Sequence, residues 1–339
     1  MAKAKSKKIR VAINGFGRIG RQAFKVALNK KNIEIVALND LTDTATLAHL
    51  LKFDTVYGKY HKKVTSDKQH LSINGKKYLV TAIPEPKKLP WKKLKIDVVL
   101  ECTGRFVKDG QARDHLKAGA KKVIVSAPAK GSGSVQTFVK GVNDHNYDSQ
   151  DVVSNASCTT NCISPVIRII ADNFGIEKAM MTTIHGYTAD QRLQDAPHRD
   201  LRRARAAALN TIPTTTGAAI ATTKALPELA GKFDGMAIRV PVIVGSLSDF
   251  TIVTSKKVTP DKINNAFKRA AKNPIYKGIV KTTSEPIVSS DIIGDPHSAI
   301  VDLSFTKVVG GNMAKVLAWY DNEWGYSNRL VEMIDVVAS

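Results

Sequence analysis

Cysteine is scarce here: Cys102, Cys158 and Cys162 are the only three in 339 residues. A disulfide framework uses far more, so the expectation is a reducing compartment in which a free thiol can do chemistry. No run of about 18 apolar residues occurs, so no segment is a candidate for a membrane-crossing helix. The opening stretch Met1 to Arg10 carries basic residues but no following segment of signal-peptide type, and a soluble cytoplasmic protein is expected. Internal repeats and low-complexity tracts are absent. Acidic residues are the minority, 30 against 51 Lys and Arg, which leaves a formal charge of +21. Lysines are scattered in short pairs such as Lys62-Lys63 and Lys92-Lys93, as on a solvated surface, and no RNA-binding or DNA-reading motif accompanies them. The charge supports non-specific attraction of RNA and other polyanions, and it fits small anionic substrates equally well.

The chain is 43% hydrophobic and long enough for two domains, each with its own core. Ile9 to Ile13 reads as a β-branched strand, Arg18 to Asn29 as a helix and Ile33 to Leu38 as a second strand, together one βαβ unit with a right-handed crossover. Asp97 to Leu100, Lys122 to Val125 and Val152 to Ser154 read as further buried parallel strands that complete a doubly wound sheet. Thr65 to Ala82, with Asn74-Gly75 at its centre, reads as an antiparallel hairpin appended to that sheet. After about residue 157 longer alternating strands follow at Lys178 to Ile184, Met236 to Pro241, Phe250 to Lys256 and Ala314 to Tyr320, a mostly antiparallel sheet in an α+β second domain. Helices are expected over Thr159 to Asn173, Gly217 to Leu226 and Pro260 to Ala271, the last capped by Thr259. The expected organisation is a Rossmann domain over 1–157 and a catalytic domain over 158–324, with a C-terminal helix over Asn328 to Val337 packing on either.

Gly15-Phe16-Gly17-Arg18-Ile19-Gly20 is G-x-G-x-x-G between a strand and a helix, with Asp40 twenty positions beyond Gly20. The glycines suit a tight turn, close approach of a pyrophosphate and close helix packing, and the helix N-terminus faces the phosphates with its free amides. Asp40 suits the ribose hydroxyls. Leu41 stands where a cationic or hydroxyl residue would favour a 2′-phosphate, so NAD is expected in preference to NADP. Cys158 follows a strand and opens a helix, a position that lowers a thiol's pKa, and His185 at the end of a strand is the candidate base. Cys162, four residues on, lacks further Cys or His partners for a zinc site and reads as packing; no metal is expected.

The strings GFGRIGR, SNASCTTNC, TTIHGYTADQ, DLRRARAAA, IPTTTGAA, MAIRVP and WYDNEWGYS occur in the order found in glyceraldehyde-3-phosphate dehydrogenases. The resemblance covers essentially the whole chain. It implies a glycolytic and gluconeogenic enzyme that oxidises D-glyceraldehyde 3-phosphate with NAD and phosphate to 1,3-bisphosphoglycerate. Cys158 would form the thiohemiacetal and thioester, with His185 as base. It further implies Thr188, Arg203 and Arg239 at the substrate phosphate, and Ser157, Thr159, Thr216 and Gly217 at the attacking phosphate. Asn322 would hold the nicotinamide carboxamide, with Thr103, Gly104 and Ser126 near the cofactor, and the assembly would be a homotetramer. Departures from the pattern are Gly186 after His185, ValIleValGly after Pro241, and Pro84-Glu85-Pro86 without an arginine near the adenine. Ala196-Pro197 mixes NAD-type and NADP-type patterns, the proline favouring NAD. An erythrose-4-phosphate dehydrogenase is the nearest alternative, against which Thr214-Thr215-Thr216-Gly217 argues. A non-catalytic NAD- or RNA-binding protein is the alternative from another class.

Overall fold

The computed structural model describes residues 8–133 and 135–339. The reading of the basic opening stretch falls, up to Lys7, outside these residues. Two compact units are present. The first runs to Phe138, resumes at Asn146–Ala156 and takes Ser327–Ser339; the second comprises Val139–His145 and Ser157–Tyr326.

The sheet of the first unit has nine strands. In spatial order they are Gln136–Thr137, Val152–Ser154, Lys122–Val125, Val98–Glu101, Ile9–Asn14, Ile33–Asn39, Lys76–Thr81, His70–Ile73 and Val64–Ser66. Pairing is parallel as far as Lys76–Thr81 and antiparallel beyond it. The central Val98–Glu101 strand is buried at every position, as a strand covered on both faces must be. The chain crosses from one side of Ile9–Asn14 to the other, so a crevice opens at the carboxyl ends of these strands, where such sheets bind ligands. Asn74 and Gly75 both take positive φ and make the tight turn expected of them. The hairpin is antiparallel and sits at the edge of the main sheet, as expected, joined to it by parallel pairing of Lys76–Thr81 with Ile33–Asn39, where Leu79 packs on the core. The sequence reading missed the Thr44–Lys52 helix, which Asp43 caps by accepting the Thr46 amide at 2.9 Å. The C-terminal helix Trp324–Ala338 is tied down within this unit by Asn32 Nδ2 to Asp335 Oδ1 at 2.6 Å and by Tyr147 OH to the Val337 carbonyl at 3.3 Å.

The second unit has seven strands in the order Ile212–Thr214, Phe233–Val240, Lys178–Gly186, Ser246–Val253, Met313–Tyr320, Ala299–Val309, Val280–Thr283. Antiparallel pairs predominate. Two are parallel, Lys178–Gly186 with Phe233–Val240 and Val280–Thr283 with Ala299–Val309. The strand expected from Phe250 to Lys256 runs instead over Ser246–Val253, with alternate residues buried from Ser246 onward. Buried serines do not register in an apolar alternation, which is why its first half was illegible. Helix Cys158–Phe174 packs its apolar face on this sheet and on helices Ala218–Ala225 and Pro260–Lys272. Thr259 caps the last of these, with Pro260 at its first position.

Candidate active site

In the first unit a groove of about 270 Å³ opens at the carboxyl ends of the central strands, lined among others by Gly15, Gly17, Asp40, Leu41 and Thr103. Each glycine has its own reason. Gly15 sits at φ +90, and a Cβ there would lie 2.7 Å from the Thr103 amide; a Cβ at Gly20 would collide with the Gly15 carbonyl. A Cβ at Gly17 would meet nothing within 4 Å, so the space before it is open to a ligand. No side chain caps helix Arg18–Ala27. An anionic group can therefore approach its first turn, which is what a pyrophosphate requires. Asp40 is held by the Phe16 amide at 2.7 Å on Oδ2 and the Thr42 amide at 3.0 Å on Oδ1, and Leu41 is 55% exposed beside it. These residues fit a dinucleotide with unmodified ribose hydroxyls.

Within the fingerprint, two side chains do not face the groove. The Phe16 ring is fully buried edge-on against Phe24, and the Arg18 guanidinium bonds Asp54 at 2.8 Å, so only their backbones are available to a cofactor. Under the groove lies a buried polar chain the sequence reading did not find. Glu101 accepts bonds from Asn14 Nδ2 at 2.5 Å, His115 Nε2 at 2.9 Å and the Thr103 amide at 2.8 Å. The Trp91 indole, which can only donate, meets His115 Nδ1 at 2.9 Å and so fixes the proton on Nε2. Thr103 Oγ1 also turns down onto Glu101 at 2.5 Å. Gly104 takes φ +69, and the amide of Ser126 donates to the Glu101 carbonyl at 3.0 Å.

In the second unit Cys158 begins helix Cys158–Phe174, whose cap is the Ser157 hydroxyl, accepting the Thr160 amide at 3.0 Å. Strand Lys178–Gly186 delivers His185, and Cys158 Sγ stands 3.4 Å from His185 Nε2. His185 Nδ1 lies 2.7 Å from the Gly186 carbonyl, which Arg239 Nη1 also meets at 3.0 Å. Nδ1 also lies 2.8 Å from Arg239 Nη1, a donor, so its two neighbours favour opposite tautomers; the one with the proton on Nδ1, shared with the carbonyl, leaves the Nε2 lone pair toward sulfur, as a base needs. Burial, and then the nearby Arg239 charge, push the His185 pKa down to about 3. The ring is thus uncharged at neutral pH.

The expectation that the helix start would lower the thiol pKa is corrected here. Burial raises the Cys158 pKa, and this outweighs the opposing pull of the Arg239 charge and of hydrogen bonds from Thr159 and the backbone. Cys158 is half-buried and in reach of a base, whereas Cys162 is fully buried, and burial raises its thiol pKa as well.

Residues 9–109 match the family of the glyceraldehyde 3-phosphate dehydrogenase NAD binding domain, and residues 157–322 that of the C-terminal domain. A Streptomyces avermitilis protein named glyceraldehyde-3-phosphate dehydrogenase 2 is 53% identical over 328 residues, 96% of this chain and 97% of its own length. Proteins named glyceraldehyde-3-phosphate dehydrogenase from Mycolicibacterium smegmatis and Mycobacterium tuberculosis are 53% and 52% identical, each covering 97% of this chain and 98% of their own. The chain belongs to the glyceraldehyde 3-phosphate dehydrogenase family. It is accordingly an NAD-dependent oxidoreductase.

The residues that the family resemblance assigns to phosphate are not all free to take one. The Nε of Arg239 is buried without a partner. Arg203 already has partners: its fork meets Asp190, Thr214 Oγ1 at 2.9 Å and the Thr215 carbonyl at 2.9 Å, contacts that brace this loop and take one N–H on each of its three nitrogens. Thr159 is buried, with its hydroxyl 2.9 Å from Tyr320 OH and 3.9 Å from Cys158 Sγ. Thr216 accepts the Ala218 amide at 3.2 Å, and Gly217, the cap of helix Ala218–Ala225, has open space before it. The amide of Thr188 donates to Gln191 Oε1 at 3.3 Å. Asn322 Oδ1 accepts Ser246 Oγ at 2.9 Å.

Two departures from the family pattern turn out to be one feature. A Cβ at Gly186 would lie 2.8 Å from the Val242 carbonyl and 3.0 Å from that of Ile243, and the Tyr187 amide donates to Val242 at 3.0 Å. The altered segment after Pro241 presses on the strand where only glycine leaves room.

Proposed function

We propose that this chain is a phosphorylating glyceraldehyde-3-phosphate dehydrogenase in which Cys158 is the nucleophile and His185 the base. The observation that carries the reading is the 3.4 Å approach of Sγ to the Nε2 nitrogen of a buried imidazole. As Sγ adds to the aldehyde carbon, Nε2 takes the thiol proton and a thiohemiacetal forms on Cys158. His185 returns that proton to the carbonyl oxygen as the thiohemiacetal hydroxyl forms and takes it back as the carbon gives up hydride and becomes a thioester. NAD, when bound, supplies the hydride acceptor. Inorganic phosphate adds to the thioester carbonyl, the C–S bond breaks, and 1,3-bisphosphoglycerate leaves with Sγ restored. The amides at the start of helix Cys158–Phe174 suit the oxyanion of both additions.

Arg239 is the residue best placed for the substrate phosphate, because no carboxylate neutralises its guanidinium and its Nε lacks a partner. Thr188 is proposed beside it. For the attacking phosphate we favour the open cap at Thr216 and Gly217, with Ser157. In the other unit, Gly15, Gly17, Gly20 and the backbones of Phe16, Arg18 and Ile19 take the pyrophosphate. Asp40 takes the ribose hydroxyls and Leu41 borders them, and Thr103, Gly104 and Ser126 lie along the path. Asn322 holds the nicotinamide carboxamide.

The deciding experiment traps the enzyme with aldehyde and NAD in the absence of phosphate and locates the acyl group by mass spectrometry. An acyl group on Cys158, absent in Cys158→Ser with NAD binding retained, is the expected result; acylation elsewhere would end the reading. Turnover of erythrose 4-phosphate without phosphate would favour the alternative. A homotetramer in the cytoplasm completes the proposal. Leu193, Leu201 and Leu209 lie within one short segment and are each at least 80% exposed, an apolar surface that wants a partner. Among the described residues no helix is long and apolar enough to cross a membrane. Sedimentation as a monomer at micromolar concentration would remove the tetramer.

A further inference from the structure

A serine with no exposed surface ties the strand of the base to the residue proposed to hold the nicotinamide. Ser246 Oγ accepts the Gly186 amide at 3.2 Å, which leaves its single proton for Asn322 Oδ1 at 2.9 Å. The Gly245 amide, which can only donate, meets the same Oδ1 at 3.2 Å. Two donors on one atom decide which way the amide is turned: Oδ1 is the inward end and Nδ2 the outward one. Among the described residues Nδ2 has no hydrogen-bond partner. Gly245 is held in this place by its φ of +100 and by the Ser289 carbonyl, which a Cβ would strike.

We propose that Ser246 is a positioning residue that locks Asn322 with its donor, not its acceptor, presented to the carboxamide of bound NAD. The inference rests on the reading of Asn322 as the carboxamide ligand. The contact is then Nδ2–H to the carboxamide oxygen, and the NH₂ of that carboxamide takes no part in it.

Calorimetry of the full-length protein with three ligands tests this. They are NAD, its 3-acetylpyridine analogue, which keeps the carbonyl but replaces NH₂ by methyl, and ADP-ribose, which lacks the ring altogether. The unmodified protein should bind NAD and the analogue within about threefold of each other, since the one hydrogen bond at issue is kept. Ser246→Ala and Asn322→Ala should each weaken both dinucleotides by about three- to thirtyfold and leave ADP-ribose unchanged. An analogue bound more than about tenfold more weakly than NAD would mean that Asn322 presents its acceptor, and would overturn the proposal without any variant being needed. Should Asn322→Ala weaken NAD while Ser246→Ala does not, the lock fails and the ligand reading stands. Normal NAD binding by Asn322→Ala removes both. Parallel loss of ADP-ribose affinity in Ser246→Ala would reduce the serine to a packing role and refute the lock.

Discussion

An imidazole kept uncharged by burial and by a neighbouring guanidinium has a lone pair free for the thiol proton, which fits the part proposed for His185. The half-buried thiol beside it is not a standing thiolate, so attack and proton transfer have to be concerted in a way that a pre-ionised cysteine would not need. His185→Asn should therefore slow acylation by about two to four orders of magnitude, read from single-turnover NADH formation. The same variant has a stability signature. With a folded pKa of about 3 against an ordinary value of 6.5, the unfolded chain binds a proton in that window that the folded chain does not. Folding stability thus rises with pH from 3 to 6.5 and is lost as the pH falls. Denaturant titrations at pH 4 and pH 7 should differ by less in His185→Asn than in the unmodified chain; an unchanged difference would show that His185 does not titrate in this range.

At the scale of the element, one helix start and one strand end bring together the pair proposed to react, and both are held by small, specific contacts. Ser157→Ala removes the cap of helix Cys158–Phe174 and should cost about 1 kcal/mol of stability, seen as a lowered midpoint in urea. Gly186→Ala forces a Cβ against the Val242 and Ile243 carbonyls. A loss of about 1–3 kcal/mol is expected, together with slower acylation, because the Gly186 carbonyl orients His185. Full activity with a normal melting point would mean that the loop yields freely. The helix starts after Gly17 and Thr259 were readable in advance, whereas the one capped by Asp43 was not. The buried serines that open strand Ser246–Val253 were not, since burial of a hydroxyl depends on which neighbour can bond it.

For the whole molecule, the charge of +21 sets behaviour that no single site explains. Binding to heparin or single-stranded RNA should show no sequence preference and should fall by about 10³ or more between 50 and 200 mM salt, measured by fluorescence anisotropy, since scattered lysines act through counterion release. Salt-resistant binding to one sequence would point to a built RNA site instead.

The sequence by itself determined the two kinds of sheet, the glycine fingerprint with its acid at the end of the next strand, and the place of Cys158 at a helix start. These depend on local periodicity, on turn geometry and on residue types at fixed spacing. Only the tertiary structure decided which polar groups meet: that Arg203 pairs with Asp190, that Thr159 bonds Tyr320, that Glu101 and His115 underlie the groove, and that Ser246 reaches Asn322. A hydrogen-bond donor has no preference along the chain for its partner. Which residues lose water together, and so which charges and lone pairs are shielded or shared, is fixed only when distant segments pack.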